Sequence, residues 1–400
     1  MPHQNNSVDE FIRLCLEDAV THGCEPQAHP LSRAVPVQAS VESARANKRI
    51  HARTKDLANK VLADADAVYS VRGYNERARQ LFGEIYLGLD KGDEYDRQAT
   101  KINIAIQALS ADEAFRQSLD ATRGKLEAAP GAIDEAVIVS VLAHMCTLWF
   151  DLPDGVEIVE GGGRTSTPPQ PPALCPADYG VPSACMFYAD GDKLMSEDAR
   201  SIGHILRDSH ASYIARLRRE GEKPKGIVSR AVFEAYPEGD DDLIARSIVG
   251  VMMGMLPTTY FNLKFVLAAW RAQGGATFTR LQNALSAHPG NNGYERAYAA
   301  LAEPMFQAIQ GRPMPPEVWR TATSDHTLGD ENVRTGDQVV VDIASVTASD
   351  LESGKTDVFV VFGGDRSARH HPTHACPGYE AAIAIMLGTI TGLMEPVAAS

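Results

Sequence analysis

The sequence has no Cys-x-x-Cys pair, no excess of basic charge and few stretches that read as β-strand. Its six cysteines (Cys15, Cys24, Cys146, Cys175, Cys185 and Cys376) are scattered, which predicts thiols rather than a disulfide framework. A net charge of -14 argues against nucleic acid as a partner, because phosphate binding needs a basic face. The opening MPHQNNSVDEF lacks the basic and apolar regions of a secretory signal, so a cytoplasmic address is expected. The longest apolar stretch, Ile248 to Trp270, is broken by Pro257, Asn262 and Lys264, which predicts a buried helix and no membrane anchor. What remains is a chain of 400 residues, 44% apolar and 22% charged, which is ordinary for a globular protein and long enough to enclose a small molecule.

Most of that length patterns as helix. Lys55 to Leu81 and Asp112 to Leu126 repeat apolar residues every three or four positions and predict amphipathic surface helices. Ala132 to Phe150 is apolar throughout and predicts a central helix. Residues 161–176, GGGRTSTPPQPPALCP, are dominated by Gly and Pro and predict a loop. Helical patterning returns over Ser196 to Glu220 and Asp240 to Ala272. Thr321 to Ala344 predicts short β segments separated by turns at Gly329 and Gly336, and DVFVVFGGD adds one strand-like run. The expected fold class is mainly α, as one large domain over 1–400, with a small β element near the C-terminal site.

That site is the stretch HHPTHACPGYEAA, His370 to Ala382. One reading gives zinc to His370, His371, His374 and Cys376, the first and third histidines having helical i, i+4 spacing. Pro372 opposes a helix there, and no second Cys/His cluster completes a tetrahedron. The other reading starts downstream, where Pro377 suits the first position of an apolar helix that Pro396 ends. Cys376 then sits at a helix N-terminus, where free N–H groups and the helix dipole favour a thiolate. A thiolate ligand to heme iron needs that setting.

His374-Ala375-Cys376-Pro377-Gly378 resembles the H-x-C-x-G core of the heme-binding loop of the cytochrome P450 family. VWRTATSDHTLGDENVRTGDQVVVDIA resembles the strand segment in which an arginine precedes a hairpin and pairs with a heme propionate, which implies that role for Arg320. Asp240 to Ala272 resembles the long helix over the distal heme face, with GMLPTT at the A/G-G-x-D/E-T position. The resemblance covers about the last 160 residues well and implies heme b, with iron on Cys376, and with His374, Gly378 and Arg320 on the cofactor. It also implies a monooxygenase-like oxidation of a small hydrophobic substrate, with Thr258 in the proton relay and electrons from a ferredoxin or flavin reductase.

Several departures open an alternative. Pro257 stands where the family's relay acid belongs, and a proline shuttles no proton. Asn262, one turn on, is similar to the distal asparagine of heme-thiolate enzymes that rearrange fatty-acid hydroperoxides, among them allene oxide synthases and fungal dioxygenase fusions; MCTLWFDLPDG, Met145 to Gly155, is also similar to the latter. The helix before Arg320 has Glu303 followed by Phe306 instead of E-x-x-R, and Glu317-x-x-Arg320 lies too near the hairpin to replace it. No tryptophan-led propionate clamp precedes Trp149, which leaves Arg97 or Lys101 as substitutes, and DRSARHHPT separates Phe362-Gly363-Gly364 from His374. The alternative is therefore a hydroperoxide isomerase, dehydratase or peroxygenase that needs no redox partner. A helical scaffold holding zinc is the reading from another class.

Overall fold

The computed structural model describes residues 48–132, 134–151, 176–236, 240–288, 293–366 and 372–394. In chain order these form β1 (Arg49–Ala52), α1 (Lys55–Ala63), β2 (Tyr69–Ser70), α2 (Arg72–Ala78), α3 (Asp93–Gln107), α4 (Ala111–Ala128), α5 (Asp134–Phe150), α6 (Pro176–Phe187), α7 (Glu197–Glu220), α8 (Ile227–Ala235), α9 (Asp241–Ala272), α10 (Gly275–Ala287), α11 (Gly293–Gly311), β3 (Glu317–Ala322), β4 (His326–Leu328), β5 (Glu331–Val333), β6 (Gln338–Asp342), α12 (Ile343–Glu352) and α13 (Tyr379–Met394). The fold is mainly helical with a small sheet, as the patterning predicts.

Helices begin where a short polar side chain can satisfy a free N–H. Thr54, Ser110, Ser196 and Asp240 stand in extended backbone and accept from the N–H of Leu57, Glu113, Ala199 and Asp242, which starts α1, α4, α7 and α9. Two expectations need correction. Lys55 to Leu81 is not one helix: α1 ends at Asp64 in the left-handed region, Ala67 is left-handed too, and β2 intervenes before α2. The side chain of Asp64 accepts from the N–H of Val68 and Tyr69, which stabilises this exit over a further helical turn. DVFVVFGGD is not a strand either, since Phe359–Phe362 forms a single 3-10 turn.

The main sheet has the order β1-β6-β3-β2. β1 lies parallel to β6, with Arg49 opposite Gln338, and β6 and β2 lie antiparallel to β3. The β4-β5 hairpin turns at Gly329, and Gly336 turns the chain into β6; both have positive φ, as those glycines predict.

α9 passes through the middle of the core, with Tyr260, Phe261 and Trp270 among its largest buried side chains. By length and composition it could cross a membrane, but 67% of its most apolar window is buried inside the protein. α13 packs against α4 at glycine-sized clearance: a Cβ on Gly388 would come within 2.1 Å of Ser118 Oγ and 2.4 Å of the Phe115 carbonyl. That close seat fixes the helix that follows Cys376.

Candidate active site

A cavity of about 230 Å³ lies between α9 and the Cys376 segment. One wall is α9, through Gly250, Val251, Gly254, Met255 and Thr258. The opposite wall is Phe362, Gly363, Cys376 and the first turns of α13, through Ala381 and Ile385. β3 supplies Val318 and Arg320 from one strand face, as their spacing of two requires. All six sequence-predicted residues, Cys376, Gly378, His374, Arg320, Thr258 and Asn262, line this one cavity.

Cys376 is held from both sides. Its N–H donates to the Phe362 carbonyl at 2.9 Å, and its own carbonyl accepts from Arg366 Nη2 at 2.6 Å. The same Nη2 donates to the Phe362 carbonyl at 3.0 Å, and the guanidinium carbon lies 4.9 Å from the centroid of the Tyr379 ring. Helix α13 starts at Tyr379 rather than Pro377, because the first helical bond runs from Ala382 N–H to the Gly378 carbonyl at 2.8 Å. Burial pushes the Cys376 thiol up; the Gly378 N–H and the Arg366 charge oppose this only in part. In the protein alone the helix start does not secure a thiolate, and a cation on the sulfur would have to displace the proton.

His374 meets the edge of Tyr95 at 4.9 Å, and Tyr95 donates to the Thr373 carbonyl at 2.5 Å. Burial, and then the charge of Arg320, lowers the His374 pKa to about 3, so the imidazole is neutral at pH 7. Its Nδ1 is buried with no hydrogen-bond partner among the described residues.

Arg320 is 7% exposed. Its Nη1 donates to Tyr74 Oη at 2.9 Å and to the Trp319 carbonyl at 2.8 Å. Tyr74 Oη also accepts from Trp319 N–H at 3.1 Å and donates to its carbonyl at 2.7 Å, so one phenol fixes strand and guanidinium together. Among the described residues no carboxylate pairs with Arg320; Asp64 feels its charge, but its carboxyl is turned to backbone N–H groups. Sequence reasoning missed Tyr74, which falls inside the segment expected to be one long helix.

The two candidate residues on α9 are less free than their positions suggest. Thr258 Oγ1 donates back to the Gly254 carbonyl at 2.5 Å. Asn262 reaches the cavity wall, but Nδ2 donates to the Met314 carbonyl at 2.8 Å and Oδ1 accepts from Met314 N–H at 3.0 Å. It is a clamp between α9 and the entry to β3. Tyr86, also missed, lines the cavity from the turn after α2, and burial next to Cys376 and Tyr95 pushes its phenol up.

Other expected contributors sit elsewhere. Arg97 pairs with Glu94 on the surface, and Lys101 donates to the Ala235 carbonyl at 2.5 Å; neither lines the cavity. Glu317 is on β3 and accepts from Ala189 N–H at 2.9 Å. The end of α11 is tied instead by Gln310, which donates to the carbonyls of Lys355 and Asp357. His370, His371 and Arg369 lie outside the described residues, as does the 161–175 part of the Gly/Pro-rich segment. Among the described residues no group of three His, Cys, Asp or Glu side chains is placed to hold a metal ion. No protein-family model and no curated protein matches this chain.

Proposed function

We propose that the cavity holds heme b with Cys376 as the thiolate ligand to iron, and that the chain is a heme-thiolate oxidoreductase of cytochrome P450 type acting on a small hydrophobic substrate. The observation that carries this reading is a buried Arg320 that no carboxylate among the described residues pairs with, facing the cavity that also contains Cys376 and a His374 Nδ1 with no partner among those residues. A buried guanidinium is costly unless an anion meets it. A ligand with a carboxylate at one end, an apolar body and a metal that takes up the sulfur satisfies all three residues.

Bound heme would supply oxidising chemistry tuned by its thiolate ligand. The residues do the rest. Cys376 would give up its proton to hold the metal, Arg320 would hold a carboxylate oxygen, and the neutral His374 would offer a second hydrogen bond. α9 closes the opposite face against water with Gly250, Val251 and Gly254, and Gly254 leaves open space where a side chain would intrude.

One observation favours a peroxide-level oxidant as the second reading. Among the described residues no Asp or Glu lines the cavity, and Thr258 is bonded to its own helix, so no acid-alcohol relay is assembled. An organic hydroperoxide brings its O–O bond ready made and needs neither relay nor ferredoxin. The test is the absorption spectrum of purified protein, reduced under carbon monoxide. A strongly red-shifted Soret band that disappears in Cys376→Ala supports the heme-thiolate reading. Protein that stays colourless after heme supplementation, or that carries stoichiometric zinc, overturns it in favour of the scaffold. Turnover with a surrogate reductase, set against hydroperoxide consumption without one, then decides the oxidant.

A further inference from the structure

Two hydroxyls in the cavity make no hydrogen bond within the protein among the described residues. Ser183 on α6 is 8% exposed, Thr259 on α9 is 3% exposed, and both line the cavity from helices that pack against each other. Their polar neighbours are engaged: Trp149 Nε1 donates to Gln117 Oε1 at 3.1 Å, Tyr188 Oη contacts Met314 Sδ at 3.1 Å, and Asn262 holds the Met314 backbone. Beside them the wall is aromatic, with Phe150 and Phe187. Neither oxygen is sealed off from the cavity, and a ligand group that supplies the missing partner gains affinity and orientation from it.

Charge narrows the ligand further. Arg320 is the one cationic side chain among the described residues that line the cavity. This step rests on the heme reading, in which a heme carboxylate occupies Arg320 and leaves no cation for a substrate. A carboxylate driven into the remaining aromatic wall would be desolvated without compensation.

We propose that the substrate is an uncharged, largely apolar molecule carrying a hydroxyl or carbonyl group that hydrogen-bonds Ser183 and Thr259, and not a fatty-acid-like anion. Flat or cyclic bodies suit the aromatic wall best. A hydroperoxide oxidant remains compatible with this substrate class, provided that the hydroperoxide is itself uncharged.

Titration calorimetry on the heme-loaded full chain tests this with adamantanol, adamantanone and adamantanecarboxylate as probes. The alcohol and ketone are expected to bind at least about tenfold more tightly than the carboxylate, since each 1.4 kcal/mol is tenfold in affinity. Ser183→Ala and Thr259→Val are each expected to weaken the alcohol by roughly fivefold, the effect of one hydrogen bond, while leaving binding of the parent hydrocarbon unchanged. Tightest binding of the carboxylate to the wild-type holoprotein would overturn the proposal without any variant being needed. So would equal loss of alcohol and hydrocarbon in both variants. Failure of the underlying reading has a different signature: the protein takes up no heme, and the carboxylate probe binds in a manner that Arg320→Met abolishes.

Discussion

The N–H of Cys376 donates to the carbonyl of Phe362 at 2.9 Å, so the cysteine hangs from a turn that precedes it in the chain by the whole 365–373 segment. The turn is tight. Gly363 has φ +91°, and a Cβ on it would stand 3.0 Å from the His374 carbonyl and 3.1 Å from Ala375 Cα. Phe362 and Cys376, distant in the sequence, are thus joined through their backbones.

Gly363→Ala should therefore destabilise the protein by about 1–3 kcal/mol, through left-handed strain and the displaced His374 backbone. Denaturant unfolding reads this directly. Unchanged stability would mean that the cysteine loop is anchored elsewhere.

Asn262→Ala removes both hydrogen bonds to Met314 and leaves a buried N–H and a buried carbonyl unpaired. A loss of about 2–4 kcal/mol follows from one to two unsatisfied groups. If the variant keeps full stability but loses activity toward hydroperoxides alone, Asn262 is a substrate-orienting residue and its clamp is incidental.

Tyr74→Phe takes away the phenol that receives Arg320 Nη1 and Trp319 N–H. The expected cost is about 1–3 kcal/mol, and the heme-thiolate proposal adds faster loss of heme from heme-loaded protein. Heme release to an apoprotein acceptor measures the second effect. Wild-type retention would show that Arg320 holds its place without the phenol.

His210 is fully enclosed in α7, with Nδ1 bonded to the Leu206 carbonyl at 2.8 Å and Nε2 unpartnered. Burial lowers its pKa below the ordinary value of 6.5. Above about pH 6.5 the group is neutral in both folded and unfolded chains; below it the unfolded chain takes up a proton that the folded chain refuses. Stability should fall with acid by up to about 1.4 kcal/mol per pH unit from this group. Urea midpoints at pH 7.5 and roughly pH 5.5 should converge in His210→Leu relative to the native chain, and an identical acid loss in the variant would sink the assignment.

Helices with strong periodicity were legible almost to the residue: Asp240 to Ala272 against α9 at Asp241–Ala272, and Ser196 to Glu220 against α7 at Glu197–Glu220. Both have a capping side chain at the start, which sequence displays openly. The break after Ala63 was hidden, because it depends on the Asp64 side chain taking the N–H groups of Val68 and Tyr69, a choice of partner that apolar periodicity does not display. The six candidate residues do share one cavity, since local motifs mark them. What the sequence hid was their bonding. Nothing in its spacing reveals that Asn262 faces the Met314 backbone, that Tyr74 serves Arg320, or that Ser183 looks into the same space.

The parallel pairing of β1 with β6 has a consequence for how the molecule is born. Its partners Arg49 and Gln338 are separated by 289 residues, so the sheet that positions Arg320 cannot close until β6 has left the ribosome. At roughly 5–20 residues per second that delay is on the order of tens of seconds, during which β1 waits with an unpaired edge. The floor of the cavity is therefore laid only after the β6 segment has been made.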